Sequence, residues 1–270
     1  MNNVTIDTPA SEKGYSDVNG IKMYYEIYGE GKPLVLIHGG GSTIETTFGR
    51  VIPMLAKKYQ VIAMDLQAHG RTADRDTPES FEQDADDVVT LLKNLNISKA
   101  HFFGFSNGGT TTVQIAIRYP QLVDKIILGS ALCKRHGIAQ QFWDFMEQAS
   151  LAHMPEELKE GYLKVSSNPQ GLQIMHDRDV ERMRNFKDIP NEQIEAINVP
   201  TLIISGDRDV IQPEHALELH RQIANSSLAI IPGLHGEYIE EVTTLKSGSK
   251  QADFVVPMIT RFLDEPVSTD

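Results

Sequence analysis

Hydrophobic positions along this chain fall into two kinds of run that take turns. Short continuous apolar runs occur at residues 34–37 (LVLI), 59–66 (YQVIAMDL), 100–105 (AHFFGF), 124–130 (DKIILGS), 201–206 (TLIISG) and 228–233 (LAIIPG). Continuous runs of this length predict buried strands. Between them, apolar residues recur every three or four positions, which predicts amphipathic helices. These fall over 48–57, from Ser80 through the stripe Val88, Leu91, Leu92 and Leu95, and over 107–119, 213–223 and 252–263. Ser80, with Gln83 three residues on, reads as a capping box. Pro53 and Pro257 interrupt two of the helices. Residues 19–29 (NGIKMYYEIYG) mix apolar and polar positions, as a strand with one solvated face does.

Buried strands alternating with amphipathic helices predict an α/β fold, with a mostly parallel central sheet and helices on both faces. The rhythm stops between about residues 133 and 198. There Ile138, Phe142, Phe145, Met146 and Ala149 form one helical stripe, and Leu158, Tyr162 and Val165 suggest a second helix. Residues 177–190 (DRDVERMRNFKDIP) suggest a third. The expected organisation is a core of residues 1–132 and 199–270, with a helical cap of residues 133–198 inserted before the late strands. Most of the apolar stripe is expected to serve packing. Phe142, Trp143 and Met146 are the candidates to roof a pocket.

Composition narrows the partners. The chain has 270 residues, enough to bury a sizeable core, and a formal net charge of −12 with no dense Lys/Arg run. Such a surface repels phosphate backbones and anionic membranes, so neither nucleic acid nor a membrane is an expected partner. No apolar run approaches the ~20 residues that span a bilayer. The first residues lack the basic start and apolar core of a secretory signal. Cys133 is the single cysteine; it reads as a small apolar filler and fits a reducing, cytoplasmic setting. Nothing in the sequence marks an oligomeric state.

Candidate chemistry begins at Gly104-Phe105-Ser106-Asn107-Gly108, a G-x-S-x-G pattern that arises by chance in roughly one chain in ten of this length. Its context is more specific: a predicted strand precedes it and a predicted helix follows, as a nucleophile elbow requires. Glycine-rich His38–Gly41 (HGGG) follows another buried strand. There, side-chain-free backbone N–H groups could hold an oxyanion, with Gly40 (or Gly41) and Asn107 as the donors. Asp207 and Asp209 lie just past the strand at 201–206, and His235 just past the one at 228–233. A serine needs a histidine to take its proton, and the histidine needs a carboxylate to orient it. The other histidines weighed (His101, His136, His153, His176, His215 and His220) read as surface or structural. No spaced His/Cys/Asp cluster suggests a metal site, and no metal or cofactor is expected.

These features resemble the α/β-hydrolase superfamily over nearly the whole chain. The order LVLIHGGG, AMDLQAHGRT, GFSNGG, ISGDRDVIQP, PGLHGEY is that of its capped serine hydrolases, which include esterases, cofactor-free perhydrolases and carbon–carbon bond hydrolases. The resemblance implies Ser106 as nucleophile and His235 as base. It implies Asp209 over Asp207 as the acid, because the family acid stands three residues after the glycine of G-x-x-D. DLQAHGRT departs from the family's D-x-x-G-x-G-x-S loop: Gln67-Ala68 replaces Arg-Gly and Thr72 replaces Ser. Serine at the elbow argues against epoxide hydrolases and haloalkane dehalogenases, which carry Asp there.

The expected function is hydrolysis of a small carboxylic ester or related acyl compound through an acyl-enzyme. Carbon–carbon bond hydrolysis and peracid formation use the same triad and stay open. A non-catalytic ligand receptor on this scaffold is the reading from another class; turnover of simple esters would separate it. Arg178, Arg182 and Arg184 could receive a substrate carboxylate, although arginines spaced along a polar helix more often form solvated ion pairs.

Overall fold

A computed structural model describes residues 5–266. Eight strands form one sheet: β1 (Glu12–Val18), β2 (Ile21–Tyr28), β3 (Lys32–Ile37), β4 (Tyr59–Met64), β5 (Ala100–Phe105), β6 (Val123–Gly129), β7 (Thr201–Gly206) and β8 (Ser226–Ile231). Their order is β1-β2-β4-β3-β5-β6-β7-β8. β1 and β2 pair antiparallel and β2 meets β4 antiparallel, while every pairing from β4 to β8 is parallel.

The continuous apolar runs are strands covered on both faces. In β3, Val35 and Ile37 join one core while Leu34 and Leu36 join the other. In β4, Ile62 and Met64 face the first, and Val61 and Ala63 the second. The first core is closed by α3 (Phe81–Asn94), α4 (Asn107–Arg118) and α9 (Pro213–Gln222). The second is closed by α1 (Ile44–Phe48), α2 (Ile52–Leu55) and α10 (Ala252–Asp264). The helix expected at 48–57 is instead two short pieces, because Gly49 caps α1 and Pro53 sits in the first turn of α2. Ser80 does cap α3, its hydroxyl accepting the Gln83 N–H; the Gln83 amide turns to Asp87 instead of completing the box.

Two elements, β1 and the helix α8 (Asn191–Glu195), have no counterpart in the hydrophobic pattern. β1 (EKGYSDV) is a polar edge strand whose place depends on the β2 backbone beside it. Between β6 and β7 the chain forms four helices: α5 (Gln140–Glu147), α6 (Glu156–Val165), α7 (Gly171–Arg184) and α8 (Asn191–Glu195). α7 begins before the segment that suggested it, and α8 packs with α4 and α9 on the sheet. No helix among the described residues is long and apolar enough to cross a membrane.

β4 lies on one side of β3 and β5 on the other, so the chain reverses direction across the sheet at β3/β5. The crevice at the carboxyl ends of such a pair is where open α/β sheets bind ligands.

Candidate active site

Ser106 sits at that crevice, between β5 and α4, with φ 54° and ψ −120°. A non-glycine residue there is strained by about 1–3 kcal/mol, so its surroundings must hold it. Its N–H donates to Gly129 O at 2.8 Å, and its carbonyl accepts from Gly109 and Thr110 N–H. The flanking glycines are required by contact. A Cβ on Gly104 would lie 2.0 Å from Gly108 O, and one on Gly108 would lie 2.1 Å from Ile37 O.

His235, in the loop after β8, accepts the Ser106 hydroxyl on Nε2 at 3.1 Å and donates Nδ1–H to Asp209 Oδ1 at 2.6 Å. An ionised carboxylate only accepts, so Asp209 dictates which ring nitrogen carries the proton. The Asp209 side chain is fully buried, whereas that of His235 is 31% exposed. Ile211 N–H donates to Asp209 Oδ1, and the Ser130 hydroxyl donates to its Oδ2 at 2.6 Å. Ser130 also pairs with the Tyr238 hydroxyl at 2.8 Å. Burial opposes ionisation of Asp209, but His235, Ser130 and Ile211 N–H outweigh it and hold its pKa below the ordinary carboxylate value. Burial likewise opposes protonation of His235; Asp209 outweighs it, with Glu241 helping, and the imidazole pKa rises above its usual value. Asp207 faces elsewhere: its Oδ1 accepts Gly233 N–H at 2.7 Å.

The glycine-rich turn lies beside Ser106; a Cβ on Gly39 would come within 3.2 Å of the Ser106 Cβ. Its two candidate donors differ. Gly41 N–H is taken by Asp179 Oδ2 at 2.5 Å. Among the described residues, Gly40 N–H and Asn107 N–H make no hydrogen bond.

A cavity of about 310 Å³ opens above Ser106. Phe142 and Met146 line it, as do Phe145, Leu158, Val180 and Met183. Trp143, expected with them, is turned away. Its indole N–H donates to Arg135 O and its ring packs on Phe186, with the Arg135 guanidinium 3.9 Å from its centre. None of the three arginines lines the cavity. Arg178 pairs with Asp74, and Arg184 donates to the carbonyls of Met146 and Glu147. Arg182 is not solvated at all: its side chain is 3% exposed and bonds Asp84 and Asp179.

Sequence reasoning passed over the group behind this loop. His38 is buried, donates Nδ1–H to Gly39 O and accepts Leu66 N–H on Nε2. Burial, with His69 nearby, pushes its pKa down to about 3, so it is a neutral strut. His69 donates from both nitrogens, to Gln67 O and to Asp179 Oδ2 at 3.0 Å. Burial opposes its charge, but Asp179 raises its pKa to about 9, and it is an imidazolium. The histidine of HGGG and that of DLQAHGRT were the available signals, but Asp179, the carboxylate that pairs with His69, comes from α7, over a hundred residues on. In the same loop Thr72 serves as a serine would, its hydroxyl donating to Asp65 O and accepting Tyr24 N–H.

Cys133 is buried and its thiol pushed up to about 12, which leaves it an unreactive filler. The sequence suggested no metal cluster, yet His136, His215 and Glu218 bring ligand atoms within 4.8 Å of one another. His215 Nε2 accepts Cys133 N–H, so its Nδ1 carries the proton it donates to Glu218 and has no lone pair for an ion. No member of this cluster lines the cavity.

A model of the alpha/beta hydrolase fold family matches residues 32–175. The human serine hydrolase BPHL is 31% identical over 248 residues, covering 84% of this chain and 82% of that protein. The chain belongs to the α/β hydrolase fold family. Its general activity is accordingly that of a hydrolase. It is also 28% identical over 239 residues to the 2-hydroxy-6-oxo-6-(2'-aminophenyl)hexa-2,4-dienoic acid hydrolase of Metapseudomonas resinovorans, covering 81% of this chain and 82% of that one. Among solved structures, a serine hydrolase involved in carbazole degradation (CarC) matches in fold, with a TM-score of 0.75 and 24% identity. That match covers 93% of this chain and 98% of that one.

Proposed function

We propose that this protein is a cofactor-independent serine hydrolase that cleaves a small carboxylic ester or related acyl compound. The observation that carries the reading is the hydrogen-bonded run Ser106–His235–Asp209 at the floor of an apolar cavity. Ser106 Oγ attacks the acyl carbon while His235 Nε2 takes its proton. Asp209 stabilises the imidazolium that forms, and the oxyanion is held by Gly40 and Asn107 N–H. His235 then gives its proton to the leaving group, completing an acyl-enzyme. Water attacks the acyl-enzyme, with His235 again as base, and releases the acid. Of the helices between residues 133 and 198, α5, α6 and α7 act as the cap that keeps bulk water from the cavity.

A fluorophosphonate should label the wild-type protein and not Ser106→Ala, read by intact-protein mass. Full labelling of the alanine variant would remove Ser106 from the mechanism.

A further inference from the structure

The cavity above Ser106 has an uneven distribution of charge. No Lys or Arg lines it among the described residues; its one carboxylate is Asp179, and its imidazoles are His153, His176 and His235. Asp179 reaches from α7 to the glycine-rich turn, where Oδ2 accepts Gly41 N–H at 2.5 Å and Oδ1 accepts the Asn107 side-chain amide at 3.4 Å. Its Oδ2 would lie 3.3 Å from a Cβ placed on Gly40. The carboxylate therefore stands in the cavity lining beside the two residues assigned to the oxyanion.

Two cations sit behind it. Nε2 of His69 donates to Asp179, Arg182 bonds the same carboxylate, and these side chains are only 1% and 3% exposed. Neither lines the cavity. They offset the field of Asp179, which would otherwise oppose a developing oxyanion a few ångströms away. They do not change the hydrogen-bonding character of the surface that substrate meets. That surface is a carboxylate, which can only accept. A hydroxyl or ammonium can donate to its Oδ1 in place of the long 3.4 Å contact from the Asn107 amide, while a second carboxylate would be buried against an acceptor with no Lys or Arg in the lining to pair it.

We propose that Asp179 is a specificity-determining residue: the site takes uncharged, hydroxyl-bearing or ammonium-bearing acyl compounds and rejects those with a carboxylate beyond the scissile carbonyl. This rests on the serine-hydrolase reading above. It separates the chain from any relative whose substrate is itself an acid, because the arginines that could have received such a group are engaged elsewhere.

The test uses three aryl esters of one short straight-chain acid, ending in methyl, ammonium or carboxylate, assayed on the wild type and on Asp179→Asn. Wild type should turn over the carboxylate ester at least 100-fold less efficiently in kcat/KM than the methyl ester. Asp179→Asn supplies a donor and removes the negative charge that faces the cavity, so that gap should close by tenfold or more. A gap that stays within twofold of wild type in the variant overturns the proposal, as does equal wild-type turnover of the methyl and carboxylate esters. A measurement on the wild type alone guards against a variant that does not fold. An n-alkylammonium should inhibit hydrolysis of the methyl ester at least tenfold more strongly than the n-alkylcarboxylate of equal length, and the reverse order overturns the proposal. Absence of both ester turnover and fluorophosphonate labelling would instead mark failure of the serine-hydrolase reading itself.

Discussion

Two aspartates two positions apart have opposite environments. Asp209 is sealed in and receives His235, Ser130 and Ile211, whereas Asp207 is half exposed, accepts Gly233 N–H and forms an exposed ion pair with Arg208. Neutral His235 is the form that can take a proton, and its pKa is raised above the ordinary 6.5, so kcat/KM should rise with pH through a midpoint above that value. Asp209→Asn removes the negative charge that raises the pKa and disturbs the tautomer. The midpoint should move to lower pH and kcat should fall by about 10⁴. Asp207→Asn loses at most one hydrogen bond, worth about 1 kcal/mol, and should leave the pH profile in place. Equal losses in the two variants would reassign the acid.

At the scale of elements, the elbow depends on how closely α4 passes beneath β3 and β5. Gly108 touches the backbone of Ile37 and His38 with no room for a methyl group. Gly108→Ala should cost about 3 kcal/mol through overpacking and lower Tm by roughly 10 °C, measured by differential scanning calorimetry. Gly14→Ala in β1 is the control. Its new Cβ would meet only the Tyr25 hydroxyl at 3.9 Å, and Tm should hold or rise slightly. The strain at Ser106 is tolerated because this tight packing leaves the turn no alternative path.

At the scale of the molecule, the cavity lies between the carboxyl edge of the sheet and the helices that follow β6. Sheet loops supply its polar floor, and α5, α6 and α7 supply apolar walls. Each methylene that enters such a cavity gains about 0.8 kcal/mol, close to fourfold in binding. For p-nitrophenyl esters from acetate upward, kcat/KM should therefore climb about fourfold per methylene until the cavity of about 310 Å³ is filled, then level or fall. A profile flat from the first member would place the acyl chain outside this cavity.

The parallel core was legible in the sequence because its strands are buried on both faces, and unbroken runs such as LVLI and AHFFGF follow directly from that burial. Ser106, Asp209 and His235 were legible for a related reason: each follows such a run, so strand prediction alone brings them to one edge of the sheet. β1 was hidden because an edge strand can be polar; its order comes from the β2 backbone. Trp143 and Met146 lie three residues apart on one helix, and only the packing of α5 against Phe186 decides that one faces inward and the other lines the cavity. The same holds for Arg182. Its helix reads as polar, yet Asp84 and Asp179 bury it. What the sequence by itself determined was periodicity and order along the chain, and these suffice for strands, helices and residues at strand ends. Which partner each charged side chain finds, and so the acceptor-only face that Asp179 turns to the cavity, was decided by contacts between residues as far apart as 41 and 179. Local pattern carries no record of such contacts.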